Sequence, residues 1–311
     1  MRTAAALLGL LILACGGACS PAARPSGFDD ETDKPSTGDG SSGGIIGGKP
    51  TPGGSKANNQ VGCSEAAKLV YVVSDENELY SFAPDKTAFT KIGTMNCPSN
   101  GATPNSMAID RRGTAWVNFS DGGLFKASTA DASCEATGYQ RGQGGISRFG
   151  MAFATNSASS QEETLYVVGI EGIIAGHGLA KIDLGTMKLT ELGDFSGTLK
   201  GQGAELTGTG DGRLFGFFTT KPNATLAQID KGDGATTGDA SLDGVSTGNA
   251  WAFSFWGGDF WFYTSTASAP STVTRKLTSG DGAITTAKAD VGGFRIVGAG
   301  VSTCAPTTPP R

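Results

Sequence analysis

Histidine is almost absent: His177 is the only one in 311 residues. One imidazole cannot assemble the usual zinc or copper ligand sets. A Ser–His–Asp arrangement would have to use this same residue, which sits in the turn-like stretch "AGHGLA". No Gly-x-Ser-x-Gly elbow and no Walker-type phosphate loop occurs. There is also no Asp-x-Asp-x-Asp-Gly calcium loop. The turns Gly210-Asp211-Gly212 and Gly232-Asp233-Gly234 need only turn chemistry to explain them. Positive charge is not in excess, with 24 basic residues against 29 acidic. That removes a nucleic-acid stripe and a polybasic membrane patch. No metal, cofactor or nucleic acid is therefore expected.

Long apolar runs are missing too. The longest, residues 4–14, has eleven residues. A bilayer span needs ~20, whereas a secretion signal with Arg2 ahead of it fits. Ile12-Leu13-Ala14-Cys15 resembles a bacterial lipobox, which assigns Cys15 as the lipidated residue, carrying palmitate among its acyl chains. An ordinary cleaved signal is the alternative. Gly16, standing where the enteric sorting rule reads an Asp, points to the outer membrane. Residues 16–62 hold twelve Gly and five Pro and few large apolar side chains. Such a stretch cannot offset its ordering entropy and reads as a disordered tether. The cluster Asp29-Asp30-Glu31-Thr32-Asp33 is a solvated part of it.

What the chain does have is glycine, 49 residues, and short apolar runs centred on an aromatic. These aromatics fall at 71, 116, 166, 215 and 262, with gaps of 45, 50, 49 and 47 residues. A period in this range, built from short strands, marks the blade of a β-propeller. Two further strands follow each aromatic run, as in "ELYSFAP" and "AFTKIGTM". Before it, copies two to five have an inner strand: "SMAID", "GMAFA", "ELTGT", "WAFSF". Copy one has none. Its missing strand is "RIVGAGV" near the chain end. The expectation is an all-β, five-bladed propeller over residues 63–304, closed when the C-terminal strand joins the first blade. A Pro-rich tail, 305–311, follows. Ala108, Ala152, Thr207, Ala252, Gly298 and Ala299 suit the crowded axis, where bulky side chains would clash.

This topology brings Cys63 beside Cys304, predicting a clasp across the closure. Cys97 and Cys134 pair by elimination, although the strand reading turns them toward different faces of their blades. Cys19 is left over, a free thiol or an intermolecular link. Paired cysteines imply an oxidising, extracytoplasmic compartment. The stretches Met95-Asn96-Cys97-Pro98-Ser99, "ELTGTGDGRLFGFF" and "GAGVSTCAPTTPP" resemble a group of propeller lipoproteins of unknown function from myxobacterial-type gliding soil bacteria. The resemblance implies a fold and an address and no chemistry.

Five-bladed propellers include glycoside hydrolases, which need two acids in the channel. The inner strands offer Glu205 and, at a strand end, Asp110. Glu205 is the single catalytic candidate; Asp110 reads as the start of the turn "DRRGTAW". Trp256 is a ligand-binding candidate, because the adjacent Gly257 and Gly258 should face solvent. The sequons at Asn118 and Asn223 mean little in a bacterial lipoprotein. The expected function is a lipid-anchored, non-catalytic binding module for an envelope protein or polysaccharide, located in the cell envelope. The alternatives are a carbohydrate-active hydrolase and an outer-membrane assembly scaffold.

Overall fold

The computed structural model describes residues 63–170, 177–267 and 269–310. The signal segment, Cys15, Cys19 and the tether lie outside the described residues. Blade one carries β1 (Val70–Ser74), β2 (Glu78–Ala83) and β3 (Ala88–Thr94). Blade two has β4 (Pro104–Ile109), β5 (Thr114–Phe119), β6 (Leu124–Ser128) and β7 (Cys134–Ala136). Blade three has β8 (Phe149–Thr155), β9 (Glu163–Gly169), β10 (Leu179–Asp183) and β11 (Lys188–Gly193). Blade four has β12 (Ala204–Gly208), β13 (Leu214–Phe218), β14 (Ala224–Ile229) and β15 (Thr236–Leu242). Blade five has β16 (Ala250–Trp256), β17 (Asp259–Ser265), β18 (Thr272–Lys276) and β19 (Ile284–Lys288). The last strand is β20 (Ile296–Val301).

Each blade is a four-stranded antiparallel sheet, and β20 is the inner strand of blade one. Val70 faces Val301 and Val72 faces Ala299 across that pairing. The chain end therefore completes the sheet begun at Val70, as the repeat pattern requires. One expected strand is cut short. β7 stops at Ala136, because the amide and hydroxyl of Thr137 both donate to the Leu124 carbonyl and turn the chain away.

Inner strands are buried along their length and outer strands are not. All seven residues of β8 are buried, while those of β3 are all exposed or half-buried. Both faces of each inner strand meet a neighbouring blade, so apolar residues do not alternate there. Five apolar clusters result, one per seam between adjacent blades. The repeated aromatic fills the seam to the next blade: Tyr71, Trp116, Tyr166, Phe215 and Trp261. In the fifth copy the equivalent residue is thus Trp261, one before the position counted from spacing; Phe262 packs into the preceding seam. Each of these aromatics lies opposite a small inner-strand residue, in order Gly300, Ala108, Ala152, Thr207 and Ser254. The pairing gives a large ring room beside a crowded axis. Each buried ring contributes about 1.5–3 kcal/mol relative to exposure.

At the seam between blades three and four the backbones touch. A Cβ on Gly150 would lie 2.1 Å from the Ala204 carbonyl oxygen. One on Gly208 would lie 2.0 Å from that of Phe153.

Two disulfides hold the ring. Cys63 joins Cys304 across the closure, with Cα atoms 5.7 Å apart. Cys97 joins Cys134 at a Cα separation of 4.9 Å. The expected conflict of faces does not arise, because β3 ends at Thr94 and Cys97 lies on the link beyond it. That link carries Cys97 to the seam between blades one and two, where Cys134 also packs.

Candidate functional site

Among the described residues, one inner-strand acid is buried at the axis. Glu205, on β12 of blade four, is 1% exposed. Its Oε2 accepts from Ser106 Oγ on β4 at 2.7 Å, and its Oε1 has no partner among the described residues. Blades two and four are not neighbours in the ring, so this bond crosses the axis. Burial pushes the carboxyl well above its ordinary range, opposed only by the Ser106 bond. Burial therefore favours the neutral form of Glu205. Acid–base hydrolysis needs a second carboxyl at about 5–10 Å.

Asp110 does not supply it. The residue is 4% exposed at the outgoing end of β4. Its Oδ1 accepts from the amides of Arg112 and Thr114, at 3.0 and 2.9 Å, and its Oδ2 accepts from Trp116 Nε1 at 3.2 Å. It caps the turn and anchors the seam aromatic.

A third acid escaped the sequence reading. Glu163 opens β9, opposite Thr155 at the same mouth of the ring. Its Oε1 accepts from the Arg111 amide at 2.6 Å and its Oε2 from Thr303 Oγ1 at 2.8 Å. Thr303 precedes the clasp cysteine, so Glu163 ties blade three to blade two through Arg111 and to the C-terminal side of the closure through Thr303. Desolvation raises its pKa to about 6, partly opposed by those two bonds. Only its place at the start of a second strand hinted at this, since Glu is unusual among the apolar runs.

The two raised acids make a prediction. A group whose folded pKa is raised stabilises below its unfolded pKa and loses that contribution as pH rises through the folded value. Glu163 acts between its ordinary 4.5 and about 6. The shift of Glu205 has the same sign. Glu205→Gln cannot ionise. Urea unfolding of both proteins from pH 5 to 8 is expected to show the variant gaining on the wild type as pH rises. A constant difference across that range would refute the assignment.

Trp256 is not a solvent-facing platform. It is 8% exposed and belongs to the seam between blades five and one. Its Nε1 donates to the Lys68 carbonyl at 2.7 Å. The turn beside it is covered by the C-terminal tail. The Gly257 amide donates to the Pro306 carbonyl at 2.8 Å, and Thr307 and Pro309 lie over Gly258. Gly257 and Gly258 carry φ of 65° and 86°, and that tight turn makes the seat for the tail. Trp256 thus works as a latch on ring closure.

The remaining candidates are structural. His177 is exposed, with its ring against Gly145. Asp211 is held bidentately by Arg213 and bonded by Thr209. Asp233 caps the Ala235 amide. Asn118 is fully buried, with Oδ1 accepting from Asn105 Nδ2 and from the Phe149 amide. Among the described residues no group of three His, Cys, Asp or Glu could hold a metal ion.

Open concavities lie on the flanks of blades. One of about 490 Å³ on blade two is lined by Arg112, Lys126, Ser128, Thr129 and Glu135. Lys126 Nζ sits 4.8 Å from the centre of the Trp116 ring there. Another of about 330 Å³ on blade five is lined by threonines of β17, β18 and β19 and by the link from blade four.

No family model matches the chain, and no curated protein is similar to it. Among solved structures it is similar to the Dos1 propeller, 12% identical over 68% of this chain and 53% of that one, TM-score 0.39. It is similar to regucalcin, a calcium-binding protein of Agrobacterium tumefaciens, 15% identical over 71% and 72%, TM-score 0.39. It is also similar to an auxiliary nutrient binding protein of Bacteroides ovatus, 14% identical over 71% and 54%, TM-score 0.40. The chain thus spans about half the length of the first and third of these.

Proposed function

We propose that this propeller is an extracytoplasmic binding module, anchored to the outer membrane by lipid on Cys15, that recognises an envelope protein or glycan and catalyses nothing. The observation that carries the reading is how the acids near the axis are used. Glu205 is enclosed, and burial favours its neutral form; Asp110 is wrapped by three donors; Glu163 is spent on the closure. Two open concavities lie on blade flanks and are lined mainly by hydroxyl and charged side chains suited to recognition. A ring stapled twice by disulfide supports an oxidising compartment. Rigid scaffolds presenting loops and clefts suit binding, and the fold alone does not choose the ligand. The resemblance to myxobacterial-type lipoproteins agrees with this address.

The test uses the full chain in intact cells, wild type beside Cys15→Ser. An alkyne fatty acid is expected to label the wild type and place it in the membrane fraction, with the variant unlabelled and released. Crosslinking should recover a defined envelope partner with the wild type. Turnover of an envelope polysaccharide by the purified protein, with no partner recovered, would put the hydrolase reading in its place. A partner drawn from outer-membrane assembly machinery would favour the scaffold.

A further inference from the structure

We infer that the cleft on blade five is a subsite for one neutral saccharide unit; this rests on the binding-module reading and names a ligand class for it. The cleft is built by strand register. Thr264 on β17 faces Thr272 on β18, and Thr274 on β18 faces Thr286 on β19. Side chains two apart on a strand share a face, so these four threonines form one patch. The link after β15 brings Ser246 to its edge, and Asp290 stands at the other end.

Two features point to a ligand. Thr264 and Thr274 are 6% and 5% exposed, and their hydroxyls have no partner among the described residues. Neither is among the polar atoms sealed from solvent without a bond, so both open onto the cleft. A half-enclosed hydroxyl without a partner is destabilising, and valine would fill the same strand position without that cost. The second feature is charge. Among the described residues no Lys or Arg lines the cleft. Its one acid, Asp290, already accepts from the amides of Gly292 and Gly293 through Oδ1, at 2.8 and 2.9 Å. Phosphates, sulfates and uronates would meet no cation here.

A hydroxyl both donates and accepts. A patch of threonines therefore matches a ligand whose own edge is a row of hydroxyls, with Asp290 Oδ2 as a further acceptor. The volume, about 330 Å³, stands at the small end of ligand sites, which span ~300–1,000 Å³. It suits one ring of a longer chain, with the rest of the glycan running off the blade.

The test titrates the full-length protein with gluco-, manno- and galacto-oligosaccharides and with an oligogalacturonate, by calorimetry and amide shifts. At least one neutral series is expected to bind and to shift amides of β17 and β18, and the oligogalacturonate to do neither. Thr264→Val with Thr274→Val keeps shape and removes both hydroxyls. It should weaken binding roughly 5- to 100-fold, two neutral hydrogen bonds being lost, with unfolding unchanged or improved. Equal affinity in the double variant would overturn the cleft and leave the binding-module reading in place. No neutral oligosaccharide bound at millimolar concentration would also overturn it. The wider reading would then stand or fall on recovery of a protein partner.

Discussion

Replacing Cys63 and Cys304 with serine is expected to lower stability by about 2–5 kcal/mol, the usual cost of a lost native disulfide. The bond closes a loop with a sequence separation of 241. In the chain-entropy model a loop of that size removes roughly 5 kcal/mol from the unfolded ensemble, an upper figure. For a domain of this size the loss corresponds to roughly 5–20 °C in the unfolding midpoint. The damage should be local at first. β20 is held by the β1 pairing, the clasp and its packing against Trp256. With the clasp gone, amides of β20 should exchange faster in native conditions while those of β13 keep their protection. Hydrogen exchange with a thermal melt checks both. An unchanged midpoint would mean that pairing and packing suffice to keep the ring shut.

Gly150→Ala is the second large effect, about 3–5 kcal/mol of destabilisation, at the upper end of what overpacking produces. The new methyl would stand 2.1 Å from the Ala204 carbonyl oxygen, and its nearest obstacles are all backbone. A flexible side chain could swing aside; two inner strands locked in a closed ring cannot. Gly208→Ala, 2.0 Å from the Phe153 carbonyl oxygen, should behave alike. The control is Gly238→Ala on β15, where no atom lies within 4 Å. Its φ of 67° leaves a conformational cost of about 1 kcal/mol. Urea denaturation of the three variants decides. If Gly150→Ala costs no more than the control, the blades can part at that seam and the packing account is wrong.

The architecture was legible because a propeller repeats its physics. An aromatic that must fill a seam recurs with each blade, and the inner strand opposite must be small. Those two demands set the spacing seen in the sequence and identified the missing first strand. The cysteine clasp followed from the same closure. Trp256 and Glu163 were not legible, for a shared reason. Their surroundings are supplied by Pro306, Thr307, Pro309 and Thr303, from a tail with no periodic pattern. A paired Gly turn normally signals solvent; here it is where the tail lies down. The blade-five threonines were hidden differently. Thr is an ordinary strand residue, and only the register of three strands shows four of them sharing a face.

The closure sets an order on biosynthesis. A nascent chain emerges from its N-terminal side, so β1 must wait with one edge unpaired until Val301 has been made. Through that interval the first blade offers bare backbone amides and carbonyls to any passing strand. The cell must shield that edge or deliver the polypeptide unfolded to the compartment where the thiols oxidise. A message cut short before Ile296 would yield four complete sheets and one open flank, a product for proteases.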